Sequence, residues 1–121
     1  MLNVEQLEEK MLAASMEIIL HAGDARDATA QSTDALVNFD FDLARKMLDE
    51  AQALIKKAHN IHTDIIQNEE IGGNAGKYTM LFSHAQDTLM TINTELNIAK
   101  SYIGVFAALE KRIKGLEELA R

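Results

Sequence analysis

The chain has 121 residues, of which 47% are hydrophobic, so it can form one domain with a modest core, residues 1–121, but not two. Its formal net charge of -7 repels a phosphate backbone and an anionic membrane surface, and we therefore expect no nucleic-acid partner. It contains no cysteine, which excludes disulfides, thiol catalysis and thiolate metal sites.

Membrane and export signals are not visible in the sequence. No stretch approaches the ~20 apolar residues that a membrane-spanning helix needs. No basic start is followed by an apolar run of the signal-peptide kind. The sequence therefore predicts a cytoplasmic protein that does not insert into a membrane.

The composition is that of helices, because the chain has no proline and only 6 glycines and is rich in Ala, Leu, Glu, Lys, Gln and Met. Two breaks interrupt the helical pattern. The first is at residues 38–42, where Asp40 can cap a new helix and Asp42 falls in its first turn. The second is the glycine-rich stretch 71–77. The sequence predicts an all-α, antiparallel three-helix bundle.

The first helix is predicted to run from about Val4 to Val37, the second from about Phe41 to Glu70, and the third from about Tyr78 to Leu119. Each carries small or apolar residues spaced alternately three and four apart, which is typical of the seam of a helical bundle. The seam residues are Leu7, Met11, Ala14, Ile18, Ala22 and Ala25, then Phe41, Ala44, Leu48, Ala51, Ile55 and Ala58, then Ala85, Leu89, Ile92, Leu96, Ala99, Ile103 and Phe106. Met90, Ile98 and Val105 fall off the seam, and oligomerisation would cover them.

Histidines on the first two helices are candidates for packing or metal binding. His21 in the sequence HAGD lies beside a run of alanines, and we expect it to be a partly buried packing residue. His59 and His62 form an HxxH pair that could supply two ligands to zinc or nickel, although such a site needs at least one more. An unrelated metal-binding bundle is therefore one alternative for this chain.

A polar stripe follows one face of the third helix, because its members are three and four residues apart. They are His84, Asp87, Thr88, Thr91, Thr94 and Glu95. A solvated helix face is the simplest interpretation. In the sequence HAQD, however, the Asp87 carboxylate is within reach of the His84 ring and could orient it, and a neutral imidazole nitrogen is a capable nucleophile.

Residues 81–91, LFSHAQDTLMT, resemble the signature of the enzyme IIA component of the lactose/cellobiose class of the bacterial phosphoenolpyruvate-dependent sugar phosphotransferase system. That family typically has a HAQDHLMT-like stretch on its last helix. Further segments agree in order and spacing: EIILHAGDAR at 17–26, DFDLARKMLDEA at 40–51 and AHNIHTDIIQNE at 58–69, followed by the glycine-rich loop. The resemblance covers nearly the whole chain.

The resemblance implies a nine-helix homotrimer and roles for two residues. His84 would accept a phosphoryl group from the histidine phosphocarrier protein and pass it to a cysteine of enzyme IIB, for uptake and phosphorylation of a β-linked disaccharide. Asp87 would face the threefold axis and help hold a divalent cation there, and its oxygen ligands favour Mg²⁺ or Ca²⁺ over softer metals. The lack of cysteine is consistent with the histidine-bearing component rather than enzyme IIB.

The sequence departs from the family pattern at two positions. Thr88 stands where the family commonly has a second histidine, and a helical threonine can bond back to the carbonyl of His84. A phosphocarrier and a non-catalytic trimeric adaptor or regulator that has lost efficient transfer are therefore both open. His62 replaces a usual glutamine, whereas Ala58-His59 is a familiar family pair, which indicates a structural His59. We also expect that apolar residues left exposed near His84 form a docking rim; the candidates are Met80, Leu81, Phe82, Leu89 and Met90.

Overall fold

The computed structural model describes residues 3–68 and 79–121, and these form three α-helices. They are α1 (Val4–Leu36), α2 (Phe41–Gln67) and α3 (Met80–Leu119), so the all-α prediction is confirmed. The predicted helix ends at Glu70 and Tyr78, and the glycine-rich break between them, lie outside the described residues. None of the three described helices is apolar enough over a sufficient length to cross a bilayer.

The turn between α1 and α2 reverses the chain direction within four residues. Phe39 takes a φ of 54°, a left-handed conformation that is uncommon for a residue with a side chain. The Asp40 side chain accepts a hydrogen bond of 3.1 Å from the Leu43 N–H, and Asp42 lies in the first turn of α2. Both predicted positions are confirmed. The N-cap oxygen accepts a hydrogen bond from a free N–H group at the start of α2, and the first-turn carboxylate interacts favourably with the positive end of the helix dipole.

The three predicted seams meet in a main core and in a small second cluster near the α1–α2 turn. On α1 and α2 all seam residues are buried except Ala14 and Phe41, which are half-buried. On α3 the five seam residues from Ala85 to Ala99 are buried, and the last two, Ile103 and Phe106, are half-buried. Many of the buried positions are alanines, so the helix backbones approach closely. The off-seam residues Met90, Ile98 and Val105 are exposed, as their positions predicted.

An ion pair and a buried hydrogen bond set how the helices are aligned. Nε and Nη2 of Arg26 on α1 each donate to one carboxylate oxygen of Glu95 on α3, both at 2.9 Å. This hydrogen bonding raises the pKa of the Arg26 guanidinium. The buried Ser32 hydroxyl donates to the carbonyl of Ala44 on α2 at 2.9 Å. Since the ion pair is exposed to solvent, it contributes more to the rotational setting of α3 than to stability.

Helix α3 is longer than the bundle that it belongs to. Phe106 packs against the small cluster formed by Ala35, Leu36 and Ala44 near the α1–α2 turn. Beyond it, every residue from position 111 to the end is exposed. Leu109 and Ile113 still border the turn residues Val37 and Phe39. With a rise of 1.5 Å per residue, residues 114–119 therefore carry α3 about 9 Å past the turn.

Candidate functional site

His84 and Asp87 lie on the outward face of α3. Phe82, Ala85 and Leu89 on the same part of the helix are buried in the core. Because successive residues are about 100° apart around a helix, this directs His84 and Asp87 away from the core. Both side chains are exposed, so the predicted polar face exists and the imidazole is accessible.

The expected orienting contact between His84 and Asp87 does not form within the chain. No hydrogen bond or ion pair joins the two side chains, and neither has another such partner in residues 3–68 and 79–121. The reason is their exposure, since no described residue packs over the pair to hold the two rotamers together. The His84 ring is therefore available to a group from another molecule.

Thr88 differs from Thr29, Thr33 and Thr94, whose hydroxyls donate back to a carbonyl of their own helix. Thr94 donates back to the carbonyl of Met90 at 3.1 Å, but the Thr88 hydroxyl makes no hydrogen bond to any described residue. The predicted bond to the His84 carbonyl is thus not formed. Thr88 is half-buried. In the described residues every fully buried polar side-chain atom has a hydrogen-bond partner. The Thr88 hydroxyl has none there, so it is not fully buried and is accessible from solvent.

A contact between α2 and α3 supports the helix on which His84 lies. The His62 ring stacks on Phe82 with centroids 5.6 Å apart and an interplanar angle of 7°, and its Nε2 lies 2.8 Å from Oε1 of Gln86. With the amide oxygen as acceptor, Nε2 carries the proton. Phe82 and Gln86 are each two residues from His84, so this contact holds the backbone on both sides of it. Sequence reasoning missed this role, and its only signal was the replacement of the family's usual glutamine by His62.

The structure separates the remaining histidines from His84. His21 is half-buried, which confirms it as a partly buried residue of α1. His59 is exposed, so the prediction of a structural His59 is wrong. In the described parts of the chain no three His, Cys, Asp or Glu side chains lie close enough to hold a metal, and the His59–His62 metal site therefore lacks a third ligand.

The described part of α3 next to His84 carries no positive charge. No Lys or Arg occurs in residues 80–88, and the dipole of α3 weakens beyond its first turn, which begins after the Thr79 cap,. A groove of about 490 Å³ between α2 and α3 includes Lys56 and His59. Met90 in its lining is about 120° around α3 from His84, so the groove opens on another side of the helix.

Comparison with known proteins identifies the family. Residues 13–107 match the sequence model described as "PTS system, Lactose/Cellobiose specific IIA subunit". The chain belongs to this family. The segment matched by the IIA family contains His84, Asp87 and Thr88, and it ends 12 residues before the last residue of α3, Leu119.

Individual IIA proteins agree over most of their length. The chain is 36% identical over 110 residues to the PTS system lactose-specific EIIA component of Lacticaseibacillus casei, covering 91% of this chain and 94% of that protein. It is 34% identical to the lichenan-specific phosphotransferase enzyme IIA component of Bacillus subtilis, covering 88% and 96%. The crystal structure of the PTS cellobiose-specific enzyme IIA from Bacillus anthracis superposes with a TM-score of 0.74 at 27% identity, covering 92% and 94%. The IIA resemblance and the three-helix fold are confirmed.

Proposed function

We propose that the chain is a cytoplasmic phosphocarrier of a phosphoenolpyruvate-dependent sugar phosphotransferase system. His84 accepts a phosphoryl group from the histidine phosphocarrier protein and passes it to a cysteine of enzyme IIB. The observation that carries this proposal is the exposed imidazole of His84 on the outer face of a helix whose inner face is core. It lies inside the segment that matches the IIA family.

The two transfers balance without an external acid, base or oxidant. In the first, the unprotonated ring nitrogen of His84 attacks phosphorus while the P–N bond to the carrier histidine breaks and its electron pair returns to the carrier ring. A proton on the other nitrogen of the carrier ring lets it leave as neutral imidazole, and His84 keeps its own N–H. In the second, the enzyme IIB thiolate attacks the same phosphorus, and the P–N bond to His84 breaks with its electron pair returning to the ring. Because such transfer depends mainly on positioning and electrostatics, the chain's main contribution is a nucleophile held on a rigid helix.

A homotrimer with Asp87 at its threefold axis fits the surface of α3. The outward face that carries Met80, His84, Asp87 and Ile98 is exposed from the start of the helix to its middle. Burying the part of this face around Asp87 and Ile98 against copies of itself would cover the apolar Ile98, and Met80 and His84, nearer the start of α3, would stay accessible to partners. It would also bring donors from neighbouring chains to His84, which has few of its own.

We propose that Mg²⁺ binds at this axis through one Asp87 carboxylate from each chain. The donor chemistry fits, because Asp87 is exposed, makes no hydrogen bond or ion pair in the described residues, and supplies the hard oxygen ligands that Mg²⁺ prefers. Three carboxylates brought together repel one another unless a cation or protons neutralise them. The cation would therefore hold the chains together rather than take part in the transfer.

Two exposed methionines are available as an adaptable docking rim. Met80 is 90% exposed one turn before His84, and Met90 is 62% exposed, whereas Phe82 and Leu89 are in the core. Methionine side chains adapt their shape to different partners. A carrier that must engage two proteins in turn at His84 would use Met80 in this way.

We propose a β-linked disaccharide as the transported substrate, without a choice among sugars. Relatives at 36% and 34% identity are named for lactose and lichenan, and others at 34% and 31% for oligo-beta-mannoside and N,N'-diacetylchitobiose. Because identity is nearly the same across these names, it favours no one of these sugars. Recognition of the sugar would belong to the membrane component.

Intact-protein mass spectrometry at neutral to alkaline pH tests the proposal. The chain is incubated with phosphoenolpyruvate, enzyme I and the histidine phosphocarrier protein, then compared with His84→Ala and the matched control His21→Ala. We expect one acid-labile phosphoryl group on the wild type and on His21→Ala, and none on His84→Ala. No phosphoryl group on any of the three would contradict the phosphocarrier and favour the trimeric adaptor.

A further inference from the structure

The groove between α2 and α3 has the size and lining of a small-molecule site. Its volume of about 490 Å³ falls within the range of about 300–1,000 Å³ that is usual for such sites. Ile55 and Leu89 in its lining are buried and give it an apolar floor. Asn93 on its α3 side is about 120° around the helix from Asp87, so the groove would stay open in a trimer with Asp87 at its axis.

The charge at this groove is positive, although the chain as a whole has a net charge of -7. Among the described residues that line it, Lys56 is charged and none is a carboxylate. The α3 segment on the other side, residues 89–100, contains one carboxylate, Glu95, and this group is bound by Arg26 of α1 at 2.9 Å. The groove is therefore a locally positive region of an acidic protein, where an anion is attracted.

Neutral hydrogen-bonding groups also line the groove. Lys100 donates to Oε1 of Gln52, which leaves the amide N–H groups of Gln52 for another acceptor. The exposed Asn93 side chain has no hydrogen-bond partner among the described residues. On His62, Nε2 is engaged by Gln86 at 2.8 Å, so Nδ1 remains as an acceptor. The lining thus offers the donors and acceptors that hydroxyl groups of a ligand need.

We propose that this groove binds a phosphorylated sugar, with the phosphate beside Lys56 and His59 and the sugar ring over Ile55 and Leu89. A lysine ammonium is a common partner of phosphate, and an imidazole can donate to it. A sugar ring has C–H groups on its faces and hydroxyls around its edge, which matches an apolar floor bordered by polar groups. The choice of a sugar phosphate rests on the proposed function, because the transport step forms a product of this class. Binding would place that product on the helix that carries His84.

Titration of backbone amide chemical shifts tests the site, with glucose 6-phosphate as the probe and glucose and inorganic phosphate as its two parts. We expect glucose 6-phosphate to shift the groove residues with a dissociation constant of about 1 mM. Each part alone should bind at least about tenfold more weakly, since it makes only some of the contacts. Inorganic phosphate binding as well as glucose 6-phosphate, or no shifts in the groove at about 20 mM probe, would overturn the proposal.

The same titration on His84→Ala separates the groove from the transfer site. This variant cannot be phosphorylated at position 84, and we expect it to bind glucose 6-phosphate as the wild type does. Loss of binding would place the phosphate at His84 and overturn the proposal. The mass-spectrometric assay of His84 phosphorylation reports separately on the proposed function.

A matched pair of lysine substitutions tests the cation in the groove. Lys56→Gln should weaken binding of glucose 6-phosphate by about tenfold, because the phosphate loses a charged partner. Lys57→Gln removes the same charge from an exposed residue that does not line the groove, and it should change the dissociation constant by less than about twofold. Both lysines are exposed, so neither substitution should unfold the bundle. Equal weakening by the two variants would indicate general attraction of anions and overturn the proposal.

Discussion

Nε2 of His62 on α2 lies 2.8 Å from Oε1 of Gln86 on α3, and the same ring stacks on Phe82. The two contacts span the turn of α3 that carries His84. They connect the end of α2 to the start of α3. The backbone that carries His84 is thus held in place by core packing on the inner face of α3 and by the His62 contacts with α2.

Loss of the His62 side chain should destabilise this end of the bundle. We expect His62→Ala to lower the free energy of unfolding by about 1–3 kcal/mol, since it removes a hydrogen bond and an aromatic contact. Urea denaturation at one fixed protein concentration measures the effect, because assembly also contributes to stability. His59→Ala, three residues away and exposed, is the control and should change stability by less than about 0.5 kcal/mol. Equal effects would show that the His62 contacts carry no weight.

The assembly should depend on divalent cations through Asp87. Removing cations with EDTA should weaken the wild-type trimer, because three unneutralised carboxylates at one axis repel. Asp87→Leu should make assembly indifferent to EDTA. Asp24→Leu, which alters the exposed aspartate of the similar HAGD sequence on α1, should keep the sensitivity. Sedimentation velocity with and without Mg²⁺ measures all three, and a wild type unaffected by EDTA would contradict the axial position of Asp87.

The free hydroxyl of Thr88 should assist transfer to His84. It is one turn from His84 and is not engaged by the helix carbonyls, so it can donate to a phosphoryl oxygen. We expect Thr88→Val, which keeps the shape and removes the hydroxyl, to slow phosphorylation by about 10- to 100-fold, the usual scale for a hydrogen bond to a charged group. Rapid-quench measurement of a single turnover tests this. Thr91→Val, on the exposed face, is the control, and identical rates for the two variants would exclude a role for Thr88.

The alanine-rich core should resist enlargement. Ala58 is fully buried, and Ala58→Leu should cost about 1–3 kcal/mol of stability because the close-packed helices must separate. Ala53→Leu makes the same chemical change on the exposed face of α2 and is the control. It should change the free energy of unfolding little, since leucine and alanine have similar helix propensities. Thermal unfolding followed by circular dichroism compares the two. A similar melting temperature for both variants would mean that the core adapts to added volume.

The site was only partly predictable from sequence, and the errors have a common cause. His84 and Asp87 could be placed on one outward face because helical spacing is a property of consecutive residues. The structural interpretation of His59 failed because burial depends on how α2 is rotated against α3. The contact of His62 with Gln86 was missed because it joins residues 24 positions apart, and nothing in local spacing brings them together.

The sequence by itself determined the three helices, the Asp40 cap of α2 and the buried seams, because helix periodicity and capping act over a few neighbouring residues. Residue types alone also supported the IIA family, through the stretch around His84. Only the tertiary structure decided that Arg26 pairs with Glu95, that the Thr88 hydroxyl is left free, and that α3 runs past the turn of its partners. These outcomes depend on the register and rotation of packed helices, which follow from the fit of the whole core rather than from any one segment.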